Sequence, residues 1–218
     1  TSVTTADVTA ATTLYYTPHA GAATPNEIRL FDGTDIWTPF TLSELSIAVP
    51  ATTNTMYDMY VYNNAGVPAL ELTAWTNDTT RATGLTQQNE VWVRTGATTR
   101  LYACSFRTTG VSGQTEDSAA RRLVWNHFNR VPRLMRAALE TTNSWTYTST
   151  YRQANANAAN QLDVVIGVAE VLVSVTVNAI ASGDAANLAM HVSIGQDSTS
   201  TPMAGVRGMQ GNSNVAAR

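Results

Sequence analysis

Three times in the first half of the chain, two runs of β-branched, aromatic and aliphatic residues are separated by a short turn that contains glycine. Residues 28–31 and 36–40 flank Asp32-Gly33-Thr34-Asp35. Residues 56–62 and 67–74 flank Asn63-Asn64-Ala65-Gly66. Residues 90–94 and 100–107 flank Thr95-Gly96-Ala97-Thr98-Thr99. Glycine adopts the positive φ that tight turns need, so each pattern reads as an antiparallel hairpin. No convincing amphipathic helix lies between them, and the fold expected is all-β. Threonine, 34 of the 218 residues, joins Val, Tyr and Trp in supplying strand propensity. Pro18, Pro25, Pro39, Pro50 and Pro68 fall at turn or edge positions. Strict alternation along the last return strand puts Tyr102, Cys104 and Phe106 on one face and Leu101, Ala103 and Ser105 on the other. Cys104 then reads as a small buried apolar residue rather than a nucleophile.

The second half starts differently. Residues 116–140 carry Arg121, Arg122, Arg130, Arg133 and Arg136 against Glu116, Asp117 and Glu140. Asp117-Ser118-Ala119-Ala120 could open a helix, but Leu123-Val124-Trp125-Asn126-His127-Phe128 reads equally well as a strand, and Pro132 would interrupt a helix. Strand-like segments follow at 144–152, 161–170, 171–181 and 188–194, and then a Gly-, Ser- and Asn-rich tail from Gln196. The expected organisation is an N-terminal arm (1–13), an antiparallel hairpin-rich attachment domain (14–112) and a β-sandwich or jelly-roll-like C-terminal domain (113–218). Residues 162–181 are long enough for a membrane helix of about 20 residues. They contain Asp163, Glu170 and Asn178, however, and Val171, Val173, Val175 and Val177 alternate with Leu172, Ser174 and Thr176. That period of two predicts buried strands and no membrane span.

Composition narrows the function classes. All 13 basic residues are arginine, charged residues make up 13%, and the net charge is −3. A coiled coil needs charged flanking positions, a disordered tail needs high net charge, and a nucleic-acid binder carries a basic excess. None of these fits, and no nucleic-acid partner is expected. One cysteine excludes a disulfide framework or a cysteine zinc site within one chain. The N-terminal residues do not form a signal peptide. No nucleophile elbow, P-loop, dinucleotide fingerprint or zinc-protease helix occurs. His19, His127 and His191 lack metal-ligand spacing. Asp32 and Asp35 are explained by a turn, and Asn77-Asp78-Thr79 matches a glycosylation acceptor that matters only in a secretory pathway. Neither catalytic residues, cofactor nor metal is expected.

The arginine cluster is the charge feature to weigh. Its window carries a net charge of only +2, too small for a nucleic-acid footprint. Planar guanidinium groups bridging carboxylates and carbonyls, and stacking on Trp125 and Phe128, fit a subunit interface better. The candidate interface is therefore Arg121, Arg122, Trp125, Arg130, Arg133 and Arg136. Trp37, Trp75, Trp92, Trp125 and Trp145 could stack on sugar rings, but Trp is highly buried on average, and filling sheet cores and interfaces is the better reading for most of them.

Several strings carry a resemblance. They are Tyr15-Tyr16-Thr17-Pro18-His19-Ala20-Gly21, Leu30-Phe31-Asp32-Gly33-Thr34, Phe40-Thr41-Leu42-Ser43-Glu44-Leu45-Ser46 and Ala74-Trp75-Thr76-Asn77-Asp78-Thr79-Thr80-Arg81. Phe106-Arg107-Thr108-Thr109-Gly110, the run from Arg121 to Arg133, Ser144-Trp145-Thr146-Tyr147-Thr148 and Tyr151-Arg152-Gln153-Ala154-Asn155 continue it. Together they resemble a family of tailed-bacteriophage and prophage structural proteins over about residues 14–198. The resemblance implies a non-enzymatic virion protein, part of a fibre or spike on tail or capsid, engaged in particle attachment and host adsorption. Other virion proteins, further copies of the chain (a trimer is usual in such fibres) and a host-surface glycan are the partners it implies. Members commonly continue beyond the point where this chain stops, and the resemblance leaves a natural short end, a processed end and an incomplete second domain as alternatives. The alternative is a lectin-like carbohydrate-binding module. A depolymerising tailspike enzyme would need a carboxylate pair at hydrolase spacing, and no local pairing singles one out.

Overall fold

The computed structural model describes residues 6–18, 26–136, 141–142, 146, 148–168, 173–174 and 193–203. Two compact units are present, Thr1–Arg136 with Leu162–Glu170, and Ala137–Gln161 with Val171–Arg218. The described strands, in chain order, are β1 (Val8–Ala11), β2 (Thr13–Tyr16), β3 (Glu27–Phe31), β4 (Trp37–Thr41), β5 (Leu45–Ala48), β6 (Met56–Asn64), β7 (Val67–Asn77) and β8 (Thr80–Arg81). They continue as β9 (Leu85–Gln88), β10 (Val91–Arg94), β11 (Ala97–Arg107), β12 (Thr115–Asp117), β13 (Arg121–Arg122), β14 (Val124–Asn126) and β15 (Asp163–Val164). The fold is all-β, and all but one of the strand pairings are antiparallel.

Three hairpins form, the first two where the turns place them. In the third the turn is only Thr95-Gly96, because Ala97 pairs with Arg94 and residues 97–99, read as turn, belong to β11, with a register shift before Val93↔Leu101. β3 and β4 pair from Glu27↔Thr41 to Phe31↔Trp37. The turn between them is locked by Asp32, whose Oδ1 accepts from the Thr34 amide (2.8 Å) and hydroxyl (2.9 Å) and from the Asp35 and Ile36 amides. Those donors hold the exposed Asp32 carboxyl below its ordinary pKa, the Thr34 amide contributing most. β6 and β7 run in unbroken register to Asn64↔Val67, around Ala65 and Gly66 at φ of 49° and 95°. Positive φ at both central residues matches the twist of the strands they join.

β6, β7, β10 and β11 form the middle of a seven-stranded sheet in the order β8-β7-β6-β11-β10-β9, with β14 pairing β11. One face is apolar. Tyr57, Met59 and Val61 of β6 and Phe106 of β11 pack there against Ile28 and Leu30 of β3, and against Leu42 and Val49. Leu14, Phe40, Leu45 and Ile47, from the two-stranded sheets β2–β5 and β3–β4, complete this layer. Cys104 belongs to it as a buried apolar residue, with burial, and secondarily the Asp58 charge, pushing its thiol up to about 12.

Strict alternation along β11 does not hold. Tyr102 pairs with Tyr60 but Cys104 pairs with Met59, so Ala103 is an extra residue, a β-bulge. Leu101, Ala103, Cys104 and Phe106 consequently share the apolar layer, while Tyr102 and Ser105 fall together on the opposite face.

A second, four-stranded sheet has the order β1-β12-β13-β15. Residues 8–11, within the segment read as an arm, form its edge strand, and the Asp7 carboxylate accepts from the Ala119 amide (2.9 Å). Residues 117–126 take the strand alternative, not the helical one: the Ser118 and Arg121 backbones exchange hydrogen bonds around Ala119 and Ala120, a tight reversal between β12 and β13. β15 pairs with β13 in parallel, Arg121 opposite Asp163 and Arg122 opposite Val164.

In the second unit the described residues hold one 3-10 turn, Ala154–Ala156, and no strand. The strand expected at 144–152 is not formed at 146 or 148–152, nor is that at 188–194 formed at 193–194. A local side-chain bond competes in the first of these: the Thr148 hydroxyl donates to the Thr150 carbonyl. The rest of those two segments, the expected strand at 171–181 apart from 173–174, His19, His191 and Trp145 lie outside the described residues. Among the described residues no helix is long and apolar enough to cross a membrane.

Candidate functional site

Four arginines of residues 121–136, Arg121, Arg122, Arg130 and Arg133, bind groups of the same chain through their side chains. Arg121 spans two carboxylates, Glu116 of β12 (Nη1–Oε2 2.9 Å) and Asp163 of β15 (Nε–Oδ2 3.0 Å). Arg122 and Arg133 converge on Asp117, at 3.1 Å and 2.7 Å, and Arg122 also donates to the Leu134 carbonyl. Arg130 sits over the Trp125 ring, 5.1 Å from its centroid, and donates to the His127 carbonyl. Arg136 is exposed, and its amide donates to the Ala119 carbonyl (2.8 Å). The candidate residues thus form an acid-bridged group (Arg121, Arg122, Arg133) and a stacked group (Trp125, Arg130), with Arg136 at the end of the segment. Phe128, Val131 and Leu134 point outward between these arginines, Leu134 at 81% exposure.

Trp125 also faces inward, stacked on Tyr102 with centroids 6.2 Å apart, and there it roofs a polar cluster that sequence reading did not single out. Asp58 of β6 is 1% exposed and fully used as an acceptor. Its Oδ2 accepts from Arg81 Nε (2.7 Å) and the Tyr60 hydroxyl (3.4 Å). Its Oδ1 accepts from the Ser105 hydroxyl (2.6 Å) and Arg81 Nη2 (3.3 Å). Because the single Ser105 proton goes to Asp58, the Tyr102 hydroxyl donates to Ser105 Oγ, at 2.6 Å. The Arg81 guanidinium sits over the Trp75 ring, 4.3 Å from its centroid, and its Nη2 also donates to the Gly167 carbonyl.

Burial raises the Tyr60 and Tyr102 phenols well above the ordinary tyrosine range, and the Asp58 charge adds to it. The signal in the sequence was a lone carboxylate inside the apolar run Met56-Tyr57-Asp58-Met59-Tyr60-Val61, a position that a charge occupies only when paired.

Residues 162–168 close this cluster. Val165 packs with Met56 and Leu123, and Val168 with Tyr60 and Tyr102. A Cβ at Gly167 would overlap the Tyr102 hydroxyl and the Trp125 ring, so only glycine fits there. With the segment in place Ser105 is 0% exposed, out of reach of any substrate. Chemically the cluster is a satisfied ion pair, with the Tyr60 and Ser105 hydroxyls committed to Asp58 and that of Tyr102 to Ser105.

The remaining sequence candidates are accounted for locally. Asn77 Oδ1 accepts from the Thr79 amide and hydroxyl in the exposed turn between β7 and β8. Trp37 packs on Phe31, and Trp92 against Tyr60 and Tyr102. No family model, curated protein or solved structure matches the chain.

Proposed function

We propose that this chain is a non-enzymatic structural protein of a bacteriophage particle, a part of a fibre or spike on tail or capsid that serves attachment and host adsorption. The observation that carries this reading is how the charge is used. Each arginine from Arg81 to Arg133 binds a carboxylate, a carbonyl or a ring face of the same chain. A protein built to grip a polyanion would present those groups outward. Here they stitch strands of a threonine-rich, weakly charged β scaffold, as suits a protein that must persist outside a cell without repair. The family strings quoted above point the same way, and the outward Phe128, Val131 and Leu134 offer apolar surface for assembly.

The test is mass spectrometry of particles purified on a density gradient from the source that encodes this chain. The chain should co-sediment with the particles at a fixed copy number. Recovery only in the unassembled fraction would remove the proposal.

A further inference from the structure

The chain contains no lysine, so arginine is the only residue that a protease with an acidic specificity pocket can select. Every arginine before residue 123, from Arg29 in β3 to Arg122 in β13, lies in a strand whose backbone is paired with a neighbour. Beyond β14 this changes. Residues 129–136 belong to no strand or helix, and every residue from Phe128 to Leu134 is exposed. Arg130, Arg133 and Arg136 fall on this stretch, at the start of the connection that leads from β14 to β15.

A serine protease takes its substrate as an added extended strand, with the side chain before the scissile bond in the specificity pocket. Pro132 holds its own φ at about −65° and keeps Val131 extended. Val131-Pro132-Arg133 is therefore set in advance in the form such a cleft receives. Leu134, on the far side of the bond, is 81% exposed. Arg133 reaches Asp117 at 2.7 Å, but Asp117 also holds Arg122 at 3.1 Å. Arg133 can thus leave for a protease carboxylate without stranding a charge, and the Leu134 carbonyl gives up one exposed hydrogen bond, from Arg122. The neighbouring bonds fit less well. Arg130 is turned back over Trp125 and onto the His127 carbonyl. The Arg136 amide is tied to the Ala119 carbonyl, and Arg152 runs directly into the 3-10 turn at Ala154–Ala156.

We propose that Arg133–Leu134 is a cleavage site for an arginine-specific serine protease, and that the cut protein persists as a complex of two fragments. As the amide bond breaks, water supplies the hydroxyl that ends on the Arg133 carbonyl carbon and the proton that ends on the Leu134 nitrogen. The fragments 1–133 and 134–218 stay joined because residues 162–168 of the second remain seated on the first. The Asp163 amide donates to the Ala120 carbonyl (3.0 Å) and the Val165 amide to the Arg122 carbonyl (2.9 Å). Arg121 pairs with Asp163, and Val165 and Val168 stay packed against residues of the first fragment. The cut severs the connection between β14 and β15 and leaves every described strand whole. The outward face of Phe128, Val131 and Leu134 contains the bond, so cleavage belongs to the chain before assembly covers that face.

The experiment digests the native full chain with a trace of trypsin, follows intact masses with time and passes the product over a size-exclusion column. The first cut should follow Arg133, and both fragments should co-elute where the uncut chain does, separating only in denaturant. Arg133→Gln should lose that cut, because an acidic pocket rejects the neutral side chain, while Asp117 keeps Arg122 and the variant still folds. A first cut at any other bond would overturn the site. So would resistance at a trypsin concentration that digests the urea-unfolded chain. Fragments that part under native conditions would overturn the persistent complex. None of these outcomes depends on the virion reading.

Discussion

The Tyr102 hydroxyl lies 2.6 Å from Ser105 Oγ, although the two residues are three positions apart on one β-strand. In a regular strand they would face opposite sides of the sheet. The bulge at Ala103 turns both to the same face, opposite Tyr60 and Asp58. One extra residue thereby builds the chain Tyr102–Ser105–Asp58–Arg81 behind the apolar layer.

Ser105→Ala breaks that chain at its centre. It leaves the Tyr102 hydroxyl and one Asp58 lone pair without their partner, at a cost of about 1–3 kcal/mol. In urea unfolding the midpoint should fall with the slope unchanged. An unchanged midpoint would show that the cluster is not sealed from water.

Removing one partner of the ion pair should cost more. Asp58 is buried but the Arg81 side chain remains one-fifth exposed, so Arg81→Met should cost about 3 kcal/mol, at the lower end for a broken buried pair. Changing both, Asp58→Leu with Arg81→Met, should cost less than the sum of the single changes. Additive losses in that double-mutant cycle would contradict direct coupling.

Gly167→Ala tests the closing segment. The added methyl meets the Tyr102 hydroxyl and the Trp125 ring, and overpacking of this kind costs about 1–3 kcal/mol. Hydrogen exchange should quicken first at the amides of Asp163 and Val165, while β6 and β11 keep their protection. Uniform loss of protection would mean that the segment is not a separable element.

Alkaline pH should unfold the protein. Burial pushes the Tyr16 phenol up to about 12 and the Cys104 thiol up to about 12, and it also raises Tyr60 and Tyr102. These groups hold their protons more tightly folded than unfolded. Their contribution is complete below the ordinary values of 9.0 and 10.0 and is lost as pH climbs from there toward the folded values. Tyrosinate absorbance from these three tyrosines should rise together with the loss of β-sheet signal. Their ionisation with the fold intact would contradict the burial.

Local chemistry made much of this legible beforehand. Asp32-Gly33 and Gly66 carry their turn geometry in their own residue types, whereas Ala65 takes a positive φ that its type disfavours, and the flanking alternation sets which residues meet. The bulge was hidden, because Leu101-Tyr102-Ala103-Cys104-Ser105 is apolar or small throughout and its pattern fits two registers. Only the fit of Met59 and Asp58 on the neighbouring strand decides between them. The Arg121–Asp163 pair was equally out of reach, since it joins strands far apart in sequence through a parallel pairing that no local turn announces. Arg81 and Asp58 were in view singly, but nothing in their spacing ties one to the other.

The proposal that this is a virion structural protein is tested most directly by a cryo-electron microscopy map of the intact particle. The account predicts density for the seven-stranded sheet, recognisable by Trp75 stacked on Arg81 and by the Ala103 bulge, at a fibre or spike. A complete particle map with every density assigned to other chains would contradict it.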